Sequence, residues 1–168
     1  MKVLTAVFIL FYVTLSCQDI VKQNTTTYYL IRHAEKERGP DPILTEKGKE
    51  RAQFWAEYFK GKKLDAIYST DTKRTIATAE PTAKEFDLMV KTYDADKMYS
   101  SSFKEQTAGK TVLIVGHSNT TPEFVNEIIA EKRYPQIDDN EFGTVFKVTL
   151  ENGKSKVEQE TINSWDKP

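Results

Sequence analysis

The stretch from Thr27 to His33, TYYLIRH, sets a short β-prone run directly before an arginine and a histidine. Two later runs have the same design: Leu64–Tyr68 (LDAIY) ends on Ser69-Thr70, and Thr111–Val115 (TVLIV) ends on Gly116-His117. The first and third runs are nearly all apolar, which is typical of strands buried on both faces of a parallel sheet. The three runs therefore predict strands of one sheet, each of which ends in polar residues.

Helical patterns lie between and after these runs. Thr45–Phe59 places apolar side chains three and four residues apart, and its first residue is a candidate N-cap. Thr72–Phe86 has a similar apolar stripe, although Pro81 inside it should kink or divide the helix. Thr121-Pro122-Glu123 predicts a further helix start, with a capping threonine and a proline at the first helical position.

The chain closes with two β-prone runs, Thr144–Leu150 and Lys156–Ile162, that predict a hairpin turning at Glu151-Asn152-Gly153. Strands that alternate with helices indicate an α/β fold, and we expect a three-layer sandwich with a mainly parallel central sheet flanked by helices. Ligands bind such sheets at the carboxyl ends of the strands. His33 and His117 should therefore lie along the same edge.

The first seventeen residues differ in composition from the rest. Lys2 precedes an apolar run from Val3 to Leu15, which is too short for a typical membrane span of about 20 residues but suits a signal peptide. The run ends just before Cys17, as in a bacterial lipoprotein signal, although Thr14 stands where an aliphatic residue is preferred. An ordinary cleaved signal and an uncleaved anchor are the alternatives.

We therefore predict a signal peptide of lipoprotein type at residues 1–17, a polar tether at 18–26, and one domain from 27 to 168. The protein should be extracytoplasmic, either periplasmic or attached to the membrane through a lipidated Cys17.

Composition excludes several classes of partner and cofactor. The chain has 24 Lys and Arg residues against 25 Asp and Glu residues, a balance that does not favour nucleic-acid binding. Its single cysteine cannot form an internal disulfide. Its two histidines have no neighbouring cysteine or paired-carboxylate motif, so we expect no metal and no cofactor.

Phosphate chemistry suits the residues that follow the strands. Arg32 and Arg74 can each bind two phosphate oxygens through the guanidinium fork, and catalysis on phosphoryl groups depends on such positioned cations. Of His33 and His117, one can attack phosphorus through a ring nitrogen. The other, if protonated, can donate a hydrogen bond to the phosphate.

Arg74 also has a purely structural interpretation, and two roles are possible for Ser118 and Asn119. Arg74 could form an i,i+3 ion pair with Asp71 on its own helix. Ser118 and Asn119, which follow the second histidine, either contact phosphate or cap the turn into the next helix.

Five blocks of the sequence resemble, in order and spacing, those of the histidine phosphatase superfamily, which includes phosphoglycerate mutases. They are Arg32-His33-Ala34-Glu35-Lys36, Leu44–Gly48 with Arg51-Ala52, Tyr68–Pro81, Val115–Pro122 and, more weakly, Asp138–Gly143.

The resemblance implies that residues 27–168 form a histidine phosphatase domain and that His33 is transiently phosphorylated. It implies that Arg32, Arg74 and His117 bind the phosphate, with His33 and His117 as the catalytic histidines. His33 also needs a hydrogen bond from its other ring nitrogen, to a backbone carbonyl that the sequence does not identify.

One part of the family pattern is missing. Larger members carry, in a segment inserted between the second and third blocks, a glutamate that protonates the leaving group. Here about 35 residues separate Pro81 from His117, as in the short branch that includes phosphohistidine phosphatases. Candidate acids are Glu35, which is nearest to His33 in sequence, and Asp71, Glu80, Asp94 and Asp96.

The sequence thus predicts a phosphatase for a small phosphorylated substrate, either a phosphoric monoester or a phosphoramidate. A phosphoglycerate mutase-like phosphotransferase is one alternative, and the missing inserted segment argues against it. A non-catalytic phosphate-binding module is another, which the missing acid keeps open and the presence of both histidines opposes.

Overall fold

Ten elements follow one another in residues 25–164, the part of the chain that this computed structural model describes. The predicted signal peptide and Cys17 lie outside the described residues. The strands are β1 (Thr26–Arg32), β2 (Ala66–Ser69), β3 (Val90–Thr92), β4 (Thr111–Gly116), β5 (Thr144–Glu151) and β6 (Lys154–Thr161). The helices are α1 (Glu46–Phe59), α2 (Lys73–Glu85), α3 (Ser101–Thr107) and α4 (Thr120–Ile129).

All six strands join one sheet in the order β3-β2-β4-β1-β5-β6. The neighbours from β3 to β1 pair in parallel, whereas β5 and β6 add an antiparallel edge. Asn152 and Gly153, with φ of 51° and 73°, form the turn between β5 and β6, as an Asn-Gly hairpin requires. The mainly parallel sheet and the closing hairpin confirm the predicted architecture.

Helices cover both faces of the sheet, because the strands alternate their side chains between two cores. Tyr28 and Leu30 of β1 pack with Phe103 of α3 and Phe124 of α4. Tyr29 and Ile31 point to the opposite face. They pack there with Trp55 and Phe59 of α1 and Ala79 and Ala83 of α2. The predicted three-layer sandwich is therefore confirmed, with its layers held by apolar burial.

The helix starts partly differ from the prediction. Thr45 does cap α1, since its side-chain oxygen accepts the Gly48 N–H at 3.0 Å. Thr121 does not cap α4: the helix begins at Thr120, and the Thr121 hydroxyl instead donates to the Ile31 carbonyl at 3.2 Å. The capping prediction was wrong because this contact to β1 occupies the hydroxyl.

Three further differences concern α2 and two short elements. Of the two outcomes predicted for Pro81, division of α2 is wrong, since α2 continues as one helix to Glu85, and a kink stays a prediction. The proline removes only one backbone donor, that to the partly exposed Ala77. The sequence analysis missed β3 and α3, which have three and seven residues. Within residues 25–164, no helix combines the length and the apolar character needed to cross a bilayer.

Candidate active site

The two histidines meet at the carboxyl edge of the central strands. β1 and β4 pair in parallel with Arg32 opposite Gly116, so His33 and His117 leave the sheet side by side. The His33 N–H donates to the Gly116 carbonyl at 2.9 Å, and the two imidazole rings lie 5.6 Å apart. A side chain at Gly116 would lie 2.9 Å from the Thr121 hydroxyl, so the close approach of α4 requires glycine there. The strand ends thus bring the histidines together, as the sequence predicts.

His33 is held in one tautomer. The residue is only 3% exposed, and its Nδ1 lies 2.8 Å from the Ala34 carbonyl oxygen. Because a carbonyl only accepts, Nδ1 carries the proton and Nε2 keeps its lone pair. Burial lowers the pKa of His33 to about 3, the charge of Arg32 acts in the same direction, and the Ala34 hydrogen bond opposes both. His33 is therefore a neutral imidazole with a free nucleophilic nitrogen at neutral pH.

His117 has the other tautomer. Arg74 Nη2 lies 3.3 Å from His117 Nδ1, and since a guanidinium only donates, this nitrogen is the acceptor. The proton lies on Nε2, which donates to the Thr70 hydroxyl at 2.9 Å. Burial, followed by the charges of Arg74 and Arg32, lowers the pKa of His117 to about 4. His117 can thus donate to an anion through Nδ1 only after it gains a proton.

Arg32 fastens the loop before β5 to the site. Its Nη1 donates to the carbonyls of Asp138 at 2.8 Å and Glu141 at 2.9 Å. Its guanidinium carbon lies 4.2 Å from the centre of the Phe142 ring, and that ring lies 6.2 Å from the His33 ring. The weakest of the five sequence blocks therefore does lie at the site, and the sequence analysis assigned no role to its Phe142, which packs beside Arg32 and His33.

Arg74 reaches the site from the first turn of α2. Its Nη1 lies 3.7 Å from Asp41 Oδ1, and the same oxygen accepts the Lys73 N–H at 2.9 Å. The carboxylate beside Arg74 is thus Asp41 from the β1–α1 loop, and not Asp71, the partner that the sequence offered as an alternative. Asp41 has a φ of 56°, a left-handed conformation that is uncommon for residues other than glycine.

Thr78 links the segments that carry His33 and Arg74. Its hydroxyl accepts the Ala34 N–H at 2.9 Å and donates to the Arg74 carbonyl at 2.8 Å. Since Thr78 is fully buried, the link is shielded from water. The position of α2 is thereby coupled to the peptide that follows His33.

Two cationic donors at this edge are buried and unused. The Nε atoms of Arg32 and Arg74 are inaccessible to solvent and have no hydrogen-bond partner. An unsatisfied buried donor on a charged group is costly unless a ligand completes it. Two such guanidinium groups beside a histidine lone pair offer donors of the kind that an anion needs, and the several acceptor oxygens of a phosphate would match them.

Glu35, the candidate acid nearest to the nucleophile, is engaged elsewhere. Its two carboxylate oxygens accept from Nε and Nη2 of Arg51, each at 2.8 Å. Burial alone would raise the pKa of Glu35, but the hydrogen bonds from Arg51 prevail and lower it. The carboxylate is therefore ionised at neutral pH and cannot give a proton to a leaving group.

The other candidate acids lie away from the four site residues. Asp71, Glu80, Asp94 and Asp96 are all exposed. Within residues 25–164, no hydrogen bond or ion pair joins any of them to Arg32, His33, Arg74 or His117. The same described residues contain no group of three His, Cys, Asp or Glu side chains that could hold a metal ion.

For Ser118 and Asn119, the two roles considered were a contact to phosphate and capping of the turn into α4. Asn119 occupies the N-cap position of α4, but its side chain makes no capping hydrogen bond. Ser118 accepts the Ile137 N–H through its carbonyl at 2.9 Å. A contact from either side chain to phosphate stays a prediction.

Known proteins resemble this chain in sequence and in fold. Residues 28–95 match the sequence profile of the histidine phosphatase superfamily (branch 1). Phosphoserine phosphatase 1 of Hydrogenobacter thermophilus is 41% identical over 69 residues, 36% of this chain and 33% of that protein. The match thus spans about a third of that relative's length.

Solved structures resemble the whole domain. The protein histidine phosphatase SixA complexed with tungstate has a TM-score of 0.63 at 15% identity, with 80% of this chain and 96% of that chain covered. Phosphoserine phosphatase from Entamoeba histolytica in complex with 3-phosphoglyceric acid has a TM-score of 0.63 at 17% identity, with 82% and 98% covered. At these identities the likeness shows a shared fold.

Proposed function

We propose that this chain, whose residues 28–95 match the profile of the histidine phosphatase superfamily, is a phosphatase that acts on a small phosphorylated substrate through a phosphohistidine on His33. One observation carries the proposal: a neutral His33 of fixed tautomer stands beside two guanidinium groups whose buried Nε donors are unused. The histidine supplies the nucleophile, and the guanidinium groups of Arg32 and Arg74 bind the phosphoryl oxygens.

In the first step, the Nε2 lone pair of His33 forms a bond to phosphorus. The bond from phosphorus to the leaving group breaks, and the leaving group takes that electron pair. Because Nδ1 keeps its proton, the phosphorylated ring is cationic, and the Ala34 carbonyl at 2.8 Å stabilises that charge. Arg32, Arg74 and a protonated His117 would hold the oxygens throughout the transfer.

In the second step, a water molecule attacks phosphorus, and the bond between phosphorus and Nε2 breaks. The electron pair returns to the ring of His33, and one proton of the water is released or remains on the phosphate. The cationic ring is a good leaving group, so this step needs no further acid. The cycle restores the neutral tautomer that began it.

The leaving group limits the choice of substrates. Glu35 is bound to Arg51, and within residues 25–164 none of the other candidate acids forms a hydrogen bond or ion pair with the four site residues. A poor leaving group such as an alkoxide needs a proton donor, whereas a phosphoramidate or a phosphoanhydride needs less help. We therefore expect the site to turn over phosphoramidates and phosphoanhydrides with a higher kcat/KM than alkyl phosphates.

A panel of three probes tests the proposal on the purified full chain: phosphoramidate, p-nitrophenyl phosphate and glycerol phosphate. We expect kcat/KM to fall in that order, and His33→Ala to lower the turnover of every probe by about 1,000-fold or more. Arg74→Ala should weaken catalysis strongly. Arg133→Ala removes an arginine that is half exposed and paired with Glu131, and it serves as the matched control.

The outcomes separate the competing functions. Full activity of His33→Ala would refute the phosphohistidine mechanism. Binding of inorganic phosphate without turnover of any probe would indicate a non-catalytic phosphate-binding module. Isomerisation of a phosphoglycerate without release of phosphate would indicate a mutase.

We also propose that the domain acts outside the cytoplasm, held to a membrane by a lipid on Cys17. The apolar run from Val3 to Leu15 and the cysteine that follows it after Ser16 support this proposal. Mass analysis of the mature N-terminus is the test. A lipid-modified cysteine is expected at the first position, and Cys17→Ser should abolish both the modification and membrane attachment. An unmodified N-terminus would contradict it.

A further inference from the structure

The segment that follows the nucleophile is fixed from several directions. The Ala34 carbonyl, which selects the His33 tautomer, belongs to the peptide between Ala34 and Glu35. Thr78 accepts the N–H on one side of this peptide, and the Glu35 carbonyl on the other side accepts the Thr45 N–H at 3.0 Å. A side chain at Gly48 would lie 2.0 Å from the Glu35 oxygen, so α1 is packed directly against this segment.

A buried ion pair completes this arrangement. Glu35 and Arg51 form a two-point contact at 2.8 Å, with side chains that are 12% and 4% exposed. Arg51 also donates to the Ile162 carbonyl, just beyond β6, at 3.4 Å. A buried ion pair contributes little to net stability, because the loss of hydration offsets the attraction between the charges. Because burying Glu35 and Arg51 costs hydration free energy, the pair indicates a role other than stabilisation of the fold.

The negative charge of Glu35 gives a second reason for the Glu35–Arg51 ion pair. Glu35 lies two residues from His33, and its charge reaches Arg32. An uncompensated carboxylate there would repel a phosphate dianion and weaken the hold of the arginine on it. Arg51, on α1, compensates that charge through its two hydrogen bonds to the Glu35 carboxylate.

We propose that Glu35 and Arg51 are positioning residues for the nucleophile. The pair holds the Ala34–Glu35 peptide so that its carbonyl fixes the His33 tautomer, and Arg51 neutralises the carboxylate beside the phosphate site. This inference rests on the proposed function of His33. It also makes a prediction about the imidazole that does not depend on turnover.

Three variants separate positioning from stability. Arg51→Met leaves Glu35 buried without its main partner, so the free energy of unfolding and kcat should both fall. The double variant Glu35→Leu/Arg51→Met replaces the pair by apolar groups and should recover stability but not kcat. Arg51→Lys keeps the charge but loses the two-point contact, so it should recover part of kcat. Misplacement of a catalytic group commonly costs about 100-fold in rate, and we expect a loss of about 10- to 100-fold for the double variant.

Lys47→Met is the matched control. Lys47 is the second cation near the same carboxylate, at 3.6 Å, but its side chain is 65% exposed. Its removal should change kcat for p-nitrophenyl phosphate by less than about twofold, because an exposed ion pair contributes little.

Nitrogen-15 spectra of the imidazole rings provide the readout that is independent of turnover. The chain has only two histidines, so His33 can be assigned with one His117→Gln variant. In the wild type, Nδ1 of His33 should carry the proton. In the double variant, the two tautomers should be mixed. The proposal is overturned if the double variant keeps both the wild-type tautomer and wild-type kcat, or if kcat recovers together with stability. An inactive wild type would refute the phosphatase proposal alone, because the tautomer could still be measured.

Discussion

Arg74 has two neighbours that draw its guanidinium in different directions. Nη2 faces His117 at 3.3 Å, and Nη1 faces Asp41 at 3.7 Å. A phosphate that binds between the guanidinium groups must compete with the carboxylate for Arg74. If Arg74 binds phosphate as proposed, Asp41 should weaken that binding, and its carboxylate also accepts the Lys73 N–H at the start of α2.

Asp41→Asn should therefore tighten anion binding. The amide oxygen still accepts the Lys73 N–H, whereas the competing charge is lost. We expect inorganic phosphate to inhibit the variant at a concentration several-fold lower than for the wild type, measured in the p-nitrophenyl phosphate assay. Asp41→Ala loses the helix-capping bond as well and should cost about 1 kcal/mol in the free energy of unfolding. Weaker inhibition of Asp41→Asn by phosphate would contradict this account.

His117 should take up a proton when an oxyanion binds. Its pKa of about 4 leaves it neutral at pH 7, yet an anion beside Nδ1 favours the charged ring. Calorimetry with tungstate, a dianion that does not titrate near pH 7, measures this uptake when buffers of different ionisation enthalpy are compared. We expect close to one proton per site in the wild type and none in His117→Gln. No uptake in the wild type would show that His117 stays neutral.

Residues that follow strands could be predicted from the sequence, and their partners could not. Arg32, His33 and His117 follow apolar runs, and parallel strands bring their ends to one edge. Asp41 contacts Lys73 across 32 positions, and Thr78 contacts Ala34 across 44. Such contacts depend on how α2 packs on the sheet, and no local pattern encodes that packing.

At the scale of elements, α1 places a glycine where the helix touches the nucleophile segment. Alanine normally stabilises a helix interior over glycine by about 1 kcal/mol. A Cβ atom added at Gly48 would lie 2.0 Å from the backbone carbonyl oxygen of Glu35. Either α1 or the backbone around Glu35 must therefore move.

We therefore expect Gly48→Ala to destabilise the protein by about 1–3 kcal/mol, as overpacking does, and to lower kcat. Urea unfolding measures the first effect. Gln53→Ala, at an exposed position of the same helix, is the control and should be nearly neutral. A more stable Gly48→Ala variant would refute the close contact between α1 and Glu35.

Strong periodic elements were predictable, and weak ones were not. The apolar stripe of α1 and the apolar runs of β1 and β4 give clear patterns because each buries a continuous face. β3 has three residues, of which none is fully buried, and α3 buries only Phe103 and Thr107. Elements of this size lack a repeat that local sequence could reveal.

At the scale of the whole molecule, two buried histidines couple stability to pH. Both have a pKa below the ordinary value of 6.5, at about 3 for His33 and about 4 for His117. Between pH 6.5 and 4, the unfolded chain therefore binds protons that the folded protein does not bind. The free energy of unfolding must fall as the pH is lowered through this window.

Urea unfolding at pH 7 and at pH 4.5 measures this loss. We expect on the order of 1–3 kcal/mol from each histidine, and a smaller loss in His117→Gln, which removes one of the two groups. Equal losses in the variant and the wild type would mean that carboxylates alone set the acid limit.

The order of the strands along the chain also determines when, during synthesis, the four site residues can come together. β1 is made first, yet its two neighbours in the sheet, β4 and β5, begin only at Thr111 and Thr144. During synthesis, β1, which carries Arg32 and precedes His33, has no hydrogen-bonded partner strand on either side until β4 or β5 has been made. Loop closure over such distances slows folding. A nascent chain that stops before Thr111 therefore contains Arg32 and His33 but lacks β4 and His117, so the four residues of the candidate site come together only after β4 has been made.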